Sequence, residues 1–411
     1  MTAKTPTLQS SFLREATERG FIHQCTDLQA LDTLMASQSI RTYIGFDATA
    51  PQLHAGHLLT IMLMRLLQKH GHTPIVVLGG GTTLVGDPSG KDQTRPIQDK
   101  DAIHNNISNL TRTFDHFLKH DTTPPLVVNN ADWLTPLNLI TFLRDVGKHF
   151  SVNRMLSAEA IKTRLHREQN LSFLEFTYML LQAYDFLVLA QEHDCRLQVG
   201  GSDQWGNIVA GIDLARKYQT PALFGLTLPL LTTAQGKKMG KTEKGALWLD
   251  KKQISAWEYW QFWRNCDDKD VASFLHLFTE LDTRSITQLT ATQGHQLNEA
   301  KKVLADHATA LLYGTKEAQQ ARDAAEQTFE AGKTSANMPQ YALRQDTTIV
   351  QLLVDTGLCS SRSNAKRLIQ QGGIKINQQT ITDENHLIPH GDKQPLTVSK
   401  GKKQHILIQR D

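Results

Sequence analysis

The feature of this sequence that most constrains its fold is a strand, a helix and a second strand that follow one another closely. The apolar stretch Thr42–Phe46 predicts the first strand, and helical periodicity begins after His57 and ends at Gly71. The continuous apolar run Pro74–Leu78 is typical of a strand that is buried on both faces. Together they predict a βαβ unit and hence a Rossmann-like α/β fold with a parallel sheet.

Two histidines stand at the turn between the first strand and the helix. This pattern places His54 and His57, with Gly56 between them, at the carboxyl edge of the sheet. A helix N-terminus offers free N–H groups and the positive end of the helix dipole, and both favour phosphate. The pair therefore predicts a nucleotide site. Two histidines at this spacing also occur as capping or surface residues, or as half of a metal site.

A second segment rich in lysine and glycine lies almost 200 residues further along the chain. In it, Lys238 and Lys241 flank Gly240, and Thr242 follows. Such a run is usually a solvated loop, but two lysines can also bind a polyphosphate as point charges. The histidine pair and the lysine segment, in this order, favour a nucleotide-dependent enzyme more strongly than either alone.

The composition limits the classes of protein to which the chain can belong. It has 411 residues, 40% of them hydrophobic, and a formal net charge of +3, which is enough chain for two or three domains with a core. We expect no transmembrane helix and no secretory signal, because no long apolar run is present. Four scattered cysteines argue against a zinc or disulfide framework and favour the reducing cytoplasm.

The pattern along the chain predicts several regions. Residues 1–235 are expected to form the α/β domain, with a helical insertion at about 135–190. Residues 236–330 hold the lysine segment and then an all-helical region, in which the aromatic cluster Trp257–Trp263 is more typical of a core than of a base-stacking surface. Residues 331–345 lack periodicity and are predicted to be a linker. The candidate strands of the α/β domain are Thr42–Phe46, Ile75–Leu78, Leu126–Val128 and Arg196–Val199.

Residues 346–411 are predicted to form a small α+β domain with a basic edge. The region has nine Lys and Arg against six acidic residues, so it carries the whole positive excess of the chain. A helix that begins after Ser361 is followed by short strands. This arrangement suits a nucleic-acid backbone, although a basic helix face is often simply solvated. The candidate RNA-binding residues are Arg362, Lys366, Arg367 and Lys375.

Over essentially its whole length the chain resembles the bacterial type of tyrosyl-tRNA synthetase, a class I enzyme. His54–His57 resembles the HIGH motif of that family and Lys238–Thr242 its KMSKS motif, with Ala55, Gly240 and Thr242 as departures. Residues 346–411 resemble its S4-like RNA-binding module. The other matching segments are Tyr43-x-Gly-Phe-Asp47, Gly86-Asp-Pro-Ser-Gly90, Gln182-Ala-Tyr-Asp185 and Gly200-Gly-Ser-Asp-Gln-Trp-Gly-Asn207.

The resemblance implies that ATP activates tyrosine as an adenylate, and that tyrosine is then transferred to the end of its tRNA. It implies Mg²⁺ on the ATP phosphates, held mainly by phosphate and water, and no metal ligands from the protein. A mobile loop would bring the lysines to ATP. The implied catalytic residues are Thr49, His54, His57, Lys238, Lys241 and Thr242. Besides His54, His57 and Lys241, the implied ATP-binding residues are Gly45, Asp47, Gly56, Gly201 and Asp203.

The resemblance also implies how tyrosine is recognised. Tyr43 and Asp185 would face the phenol hydroxyl, although on sequence alone Asp185 could be a carboxylate on a helix surface. Because its neighbours are apolar, the acid needs a hydrogen-bond donor, and a phenylalanine substrate would leave both polar groups unpaired. The remaining implied tyrosine-binding residues are Asp87, Tyr178, Gln182 and Gln204.

Phe173 matches a subunit-interface position of the family, so the resemblance implies a homodimer, although an ordinary core position fits the residue equally well. Three alternatives remain open at this point. A tryptophanyl-tRNA synthetase would share the fold but lack the S4-like module. A nucleotidylyltransferase would lack the lysine segment, and a noncatalytic RNA-binding homologue would not need either motif. The expected partners are tyrosine, its tRNA and ATP, in the cytoplasm and without a membrane.

Overall fold

The computed structural model describes residues 8–89, 99–119, 122–234, 241–242, 245–291, 297–330, 339–391, 394–401 and 404–410. The chain forms two compact units. Unit one comprises residues 1–250 and 272–288, and unit two comprises residues 251–271 and 289–411. The predicted boundaries between an α/β, a helical and a C-terminal domain do not coincide with this division and stay a prediction.

Unit one is built on a six-stranded sheet in the order β1-β6-β5-β2-β3-β4, in which only the β1–β6 pair is antiparallel. The predicted parallel α/β sheet is thus confirmed, and the predicted strands coincide with β2 to β5. The strands are β1 Gln24–Cys25, β2 Arg41–Asp47, β3 Thr73–Gly79, β4 Leu126–Asn129, β5 Cys195–Gly201 and β6 Phe224–Leu228, and a separate hairpin pairs β7 Lys241–Thr242 with β8 Gly245–Ala246.

The helices of the same part of the chain cover both faces of this sheet. Chain order runs outward from β2 in one direction through β3 and β4, and in the other through β5 and β6. The switch point between β2 and β5 is where ligands bind in open α/β sheets. The helices are α1 Ser11–Glu18, α2 Leu28–Ser37, α3 Leu58–Lys69, α4 Lys100–Phe117, α5 Ala131–Leu134, α6 Leu139–Asp145, α7 Val152–Leu156, α8 Glu159–His166, α9 Phe173–Glu192 and α10 Trp205–Lys217.

Burial explains why these segments form strands and helices. In β3 every residue after Thr73 is buried, as predicted from the apolar run. In β2 the side chains alternate between the two faces: Tyr43 packs edge-on against Phe186 of α9 at a ring separation of 5.2 Å, and Phe46 packs against Phe114 of α4 at 4.6 Å. The sheet therefore lies between two apolar layers.

Helix α9 carries several of the predicted site residues. It begins with a capping box in which the Ser172 side chain accepts the Glu175 N–H and the Glu175 carboxylate accepts the Ser172 N–H. Among the described residues it is the one helix that is long and apolar enough to cross a membrane, with a hydropathy of 1.3 over its most apolar stretch. Half of that stretch is buried inside the protein, and core helices pass the same test, so this is weak evidence for a membrane segment.

Helices continue along the chain after residue 250. The predicted aromatic cluster is a core: Trp260 and Trp263 are fully buried, and the Trp260 indole N–H donates to Asp306 at 2.7 Å. Trp257 packs with Ala324 and Leu407 within unit two. The helices are α11 Ala256–Arg264, α12 Val271–Phe278, α13 Thr283–Thr290, α14 Leu297–Tyr313 and α15 Thr315–Glu330.

The last segment of unit two forms a mixed sheet in the order β12-β11-β14-β15-β9, with two helices. The structure differs from the predicted linker over residues 340–343, because β9 lies there and pairs in parallel with β15. Residues 331–338 of the predicted linker lie outside the described residues. The elements are β9 Gln340–Leu343, β10 Thr347–Thr348, α16 Ile349–Asp355, α17 Arg362–Gln370, β11 Ile374–Ile376, β12 Gln379–Thr380, β13 Leu387–Ile388, β14 Leu396–Lys400 and β15 Gln404–Arg410.

Candidate active site

The site is centred on β2, next to the switch point of the sheet. Tyr43, Gly45 and Asp47 share one face of this strand, because side chains alternate along it. A Cβ atom added at Gly45 would meet nothing within 4 Å, so the strand borders open space there. The Tyr43 ring closes one end of this space by packing against α9, and Asp47 lies at the other end. A small molecule can therefore lie directly against the backbone of β2.

The closed end of the pocket holds two buried polar groups. Asp185 of α9 is 3% exposed, and its carboxylate accepts hydrogen bonds from Asn130 Nδ2 at 3.0 Å and from Trp133 Nε1 at 2.8 Å. Burial raises the pKa of Asp185 to about 7, and the two hydrogen bonds oppose that rise. The hydroxyl of Tyr43 is buried and has no hydrogen-bond partner among the described residues.

This geometry corrects one sequence expectation. The acid at position 185 was expected to need a donor, and it has two, Asn130 and Trp133. Asp185 would therefore not be left unpaired when phenylalanine occupies the pocket, contrary to the expectation. The Tyr43 hydroxyl is the group that such a ligand would leave without a partner.

A hydrogen-bonded group of polar side chains lines the other part of the pocket. Gln204 Nε2 donates to the Asp87 carboxylate at 2.8 Å. Asn207 Nδ2 donates to both Gln182 Oε1 at 3.0 Å and Gln204 Oε1 at 3.2 Å. These contacts bring three predicted residues together and orient their oxygen atoms. Four acceptor-rich side chains thus form a single network suited to a cationic group.

Asp47 joins the two sides of this pocket. Its carboxylate accepts the Thr82 hydroxyl at 2.9 Å and the Tyr178 hydroxyl at 3.3 Å. Tyr178 is a predicted tyrosine-binding residue on α9, and Asp47 is a predicted ATP-binding residue at the end of β2. The structure therefore connects the predicted amino-acid and nucleotide positions through one hydrogen bond.

The two histidines lie together at a 3₁₀ turn, Ala55–His57, before α3: His54 caps the turn and His57 ends it. Their rings are 4.0 Å apart, His54 Nδ1 accepts the Gly56 N–H at 3.0 Å, and His57 Nδ1 accepts the His54 N–H at 3.2 Å. Burial and the neighbouring His54 lower the pKa of His57 to about 3. His57 is therefore neutral at pH 7, and since Nδ1 accepts, its ring proton is on Nε2.

The other predicted nucleotide residues are placed as follows. Thr49 follows β2 and is partly exposed, and Asp203 is exposed in a 3₁₀ turn after β5. At Gly201, an added Cβ would lie 2.5 Å from Asp203 Oδ1, so the exposed Asp203 side chain would have to shift to admit it. Lys238 lies outside the described residues. Of Lys241 and Thr242 the structure describes the backbone, which forms β7.

Sequence comparison identifies the family. Residues 35–330 match the family of class I tRNA synthetases for tryptophan and tyrosine, and residues 330–408 match the SYY-like C-terminal domain of tyrosine–tRNA ligases. The tyrosine–tRNA ligase of Pelagibacter ubique is 50% identical over 409 residues, which is 97% of this chain and 99% of that protein. The chain belongs to the tyrosyl-tRNA synthetases. The predicted resemblance, the class of enzyme and its ligase activity are thereby confirmed.

Other relatives agree with this assignment. The tyrosine–tRNA ligase of Beijerinckia indica is 50% identical over 408 residues, covering 97% of each chain. Among solved structures, a C-terminally truncated mitochondrial tyrosyl-tRNA synthetase of Aspergillus nidulans superposes with a TM-score of 0.70 at 29% identity, covering 78% of this chain and 94% of that one. The alternatives of a tryptophanyl-tRNA synthetase and a nucleotidylyltransferase are therefore set aside.

The synthetase fold also reveals pocket residues that sequence reasoning missed. Asn130, Trp133, Thr82 and Asn207 hold the predicted site residues but were not predicted. A signal existed for Asn130, because it lies two residues after the predicted strand Leu126–Val128, at the edge where the site residues gather. Nothing in the sequence pattern pairs Trp133 with a carboxylate on α9.

In unit two of the synthetase, the four predicted RNA-binding residues are all exposed, on α17 and on the adjacent strand β11. Ser361 caps α17 as predicted, since its side chain accepts the Asn364 N–H at 3.2 Å. Lys366 lies 3.4 Å from Glu384, and Arg362 donates to Gln351. The basic side chains are therefore accessible.

Proposed function

We propose that this synthetase activates L-tyrosine with ATP, releasing pyrophosphate, and transfers tyrosine from the adenylate to the 3′ end of its tRNA, with the residue roles given below. The observation that carries the proposal is the buried pair at the closed end of the pocket. Asp185 is an acceptor with a fixed orientation, and the Tyr43 hydroxyl lacks a partner. The phenol hydroxyl of a ligand would donate a hydrogen bond to the Asp185 carboxylate and would give the Tyr43 hydroxyl a hydrogen-bond partner.

The opposite end of tyrosine carries an ammonium group. Asp87, Gln182 and Gln204 are held by the hydrogen-bond network that runs through Asn207, and the Tyr178 hydroxyl is held by Asp47. We assign the oxygens of these four residues, Asp87, Gln182, Gln204 and Tyr178, to this group. Gln204 and Asn207 use amide N–H groups within the network, and the Gln182 and Gln204 oxygens, which accept from Asn207, each have a second lone pair for a ligand donor. This favours a cation over an anion at that position.

The nucleotide is assigned to the carboxyl edge of the sheet. His54 and the neutral His57 would donate ring N–H groups to phosphate oxygens beside the N-terminus of α3. Lys238 and Lys241 would supply positive charge from the second signature. The proposed nucleotide-side residues also include Thr49, Thr242, Gly45, Asp47, Gly56, Gly201 and Asp203.

The reaction needs positioning rather than a general base. The carboxylate of tyrosine is ionised at neutral pH, so its oxygen can attack the α-phosphorus directly as the bond to pyrophosphate breaks. Negative charge then grows on the phosphate oxygens. Hydrogen bonds from the histidines and charge from the lysines stabilise it more in the transition state than in the ground state.

Mg²⁺ is proposed to enter with the nucleotide, bound mainly by phosphate and water oxygens. In the described part of the chain no group of three or more His, Cys, Asp or Glu side chains could hold a metal ion. The carboxylate at the end of β2, Asp47, accepts hydrogen bonds from Thr82 and Tyr178. When bound, the ion would neutralise charge on the polyphosphate.

We also propose a homodimer formed through the helical insertion. Eight of the ten large apolar side chains that are exposed among the described residues lie between positions 139 and 174. Phe173 at 78%, Ile140 at 71% and Leu139 at 67% are the most exposed of them. Such a concentration on one segment is typical of an interaction surface, and a second copy of this chain is the occupant that we assign to it.

We assign tRNA binding to the exposed basic residues of α17 and β11, which are Arg362, Lys366, Arg367 and Lys375. We propose that the reaction takes place in the cytoplasm. The four side chains are exposed and do not belong to the hydrophobic core of the C-terminal region. They suit phosphate contacts, which fix position and respond to salt.

ATP–pyrophosphate exchange with each of the twenty amino acids tests this function. We expect exchange with tyrosine and negligible exchange with the other nineteen. Exchange with a different amino acid would overturn the assignment of the phenol pocket. Absence of any exchange by the folded protein would favour the noncatalytic RNA-binding alternative.

A further inference from the structure

The segment that follows the lysine signature is attached directly to the histidine signature. The Ala55 N–H donates to the Leu247 carbonyl at 2.8 Å, and the Leu249 N–H donates to the Leu53 carbonyl at 2.7 Å. These two bonds form an antiparallel bridge between His54 and Trp248. The bridge is a backbone link between the histidine signature and the segment that follows the lysine signature, almost 200 residues apart in sequence.

The bridge is held in place on both sides. Leu53, Leu247 and Leu249 are each less than 5% exposed, so the strand segments are anchored by buried leucines. One residue further out, Gln52 Nε2 donates to the Asp250 carboxylate. A short bridge would be weak in water, but burial and this flanking side-chain bond make it a fixed feature.

At the centre of the bridge, the Trp248 ring lies beside the His54 ring. Their centroids are 6.3 Å apart at an interplanar angle of 58°, within the range of favourable aromatic contacts. The His57 ring contacts the same imidazole at 4.0 Å. His54 therefore has one neighbour from its own signature and one from the segment after the lysine signature.

We propose that Trp248 is a positioning residue for His54. The indole restricts the rotation of the His54 ring, so that Nε2 keeps the direction required for contact with ATP. The bridge supports this because its two backbone hydrogen bonds, at Leu247 and Leu249, fix the backbone on both sides of Trp248. The inference rests on the proposed role of His54 in ATP binding. Trp248 contacts no substrate in this account and acts through His54 alone.

Substitution of Trp248 tests the proposal, since the bridge is made by backbone atoms and Trp248→Ala leaves it possible. In pyrophosphate exchange by the full-length enzyme, we expect Trp248→Ala to lower kcat/KM for ATP by about ten- to a hundredfold, the cost of a small misplacement of a catalytic contact. Trp248→Phe should recover most of the loss, because it keeps an aromatic ring. Tyrosine affinity, measured by equilibrium dialysis without ATP, should stay at the wild-type value.

A double-mutant cycle separates a positioning role from a structural one. In a His54→Ala background, Trp248→Ala should have little further effect, because the residue that it positions is gone. An equal loss in both backgrounds, a loss of tyrosine affinity, or wild-type exchange by Trp248→Ala would each overturn the proposal. Phe262→Ala, which removes a half-buried aromatic ring of unit two, serves as the control. Failure of the wild-type enzyme to exchange would instead contradict the proposed function.

Discussion

At Asp185, burial and hydrogen bonding act on one carboxyl group in opposite directions. Burial favours the neutral acid, while Asn130 and Trp133 donate to the carboxylate and favour the charged form. The balance leaves the pKa at about 7. Because a phenol O–H donates more strongly to a carboxylate than to a neutral acid, tyrosine should bind the ionised form more tightly.

Tyrosine affinity should therefore depend on pH in a defined direction. As pH falls through about 7, Asp185 takes up a proton and the affinity for tyrosine decreases; above that pH the affinity levels off. Trp133→Phe removes a hydrogen bond that lowers the pKa, so the midpoint should move upward by about one pH unit. Calorimetric titration of tyrosine from about pH 5.5 to 8.5, where His57 stays neutral, measures both midpoints.

Two results would contradict this account of Asp185. One is an affinity that rises as the pH falls below neutrality. The other is an unchanged midpoint in Trp133→Phe, which would mean that the indole N–H does not act on the carboxyl group. Binding of tyrosine by Trp133→Phe at high pH is the control for an intact pocket.

Among the elements, the helical insertion has the most exposed apolar surface. Helices α6, α7 and α8 and the start of α9 together present this surface, and α9 also carries the buried Tyr178 and Asp185. One helix thus connects the proposed dimer surface to the tyrosine pocket.

Phe173→Asp should convert the enzyme from a dimer to a monomer, because it places a charge in an apolar interface. Sedimentation velocity over a range of protein concentrations measures the change. Leu387→Asp is the matched control, since Leu387 is also an exposed apolar residue, 56% exposed, but lies outside the insertion. If both variants sediment like the wild type, the insertion is not the dimer surface.

The basic face of α17 gives a second prediction at this scale. Replacing both Arg362 and Arg367 by Gln should raise KM for tRNA by about tenfold. The slope of log KM against log salt concentration should fall by about two, one for each phosphate contact that is lost. Pyrophosphate exchange should not change. Aminoacylation at several salt concentrations measures this. Arg344→Gln, which removes an exposed arginine elsewhere in unit two, is the control. An equal effect of Arg344→Gln would show that only total charge matters.

For the whole molecule, the periodicity of apolar residues predicted those strands and helices whose pattern is local in the sequence. The strands β2 to β5 and the helix after His57 are continuous or alternating apolar segments, so they could be recognised individually. Strand β9 could not be predicted, because it follows an aperiodic stretch and is stabilised by pairing with β15 at the other end of the C-terminal region. The contact of Trp133 with Asp185 likewise depends on how distant segments meet. The residue roles came from the family resemblance, whereas their hydrogen-bond partners required the structure.

The central claim is that Asp185 and Tyr43 select the phenol of tyrosine. The most direct test is kcat/KM for tyrosine and for phenylalanine in pyrophosphate exchange, in the wild type, Tyr43→Phe and Asp185→Ala. Loss of the neutral hydroxyl of Tyr43 should reduce the preference for tyrosine by about three- to tenfold, and loss of the Asp185 carboxylate by more than about a hundredfold. A wild-type preference for tyrosine in Asp185→Ala would contradict the account.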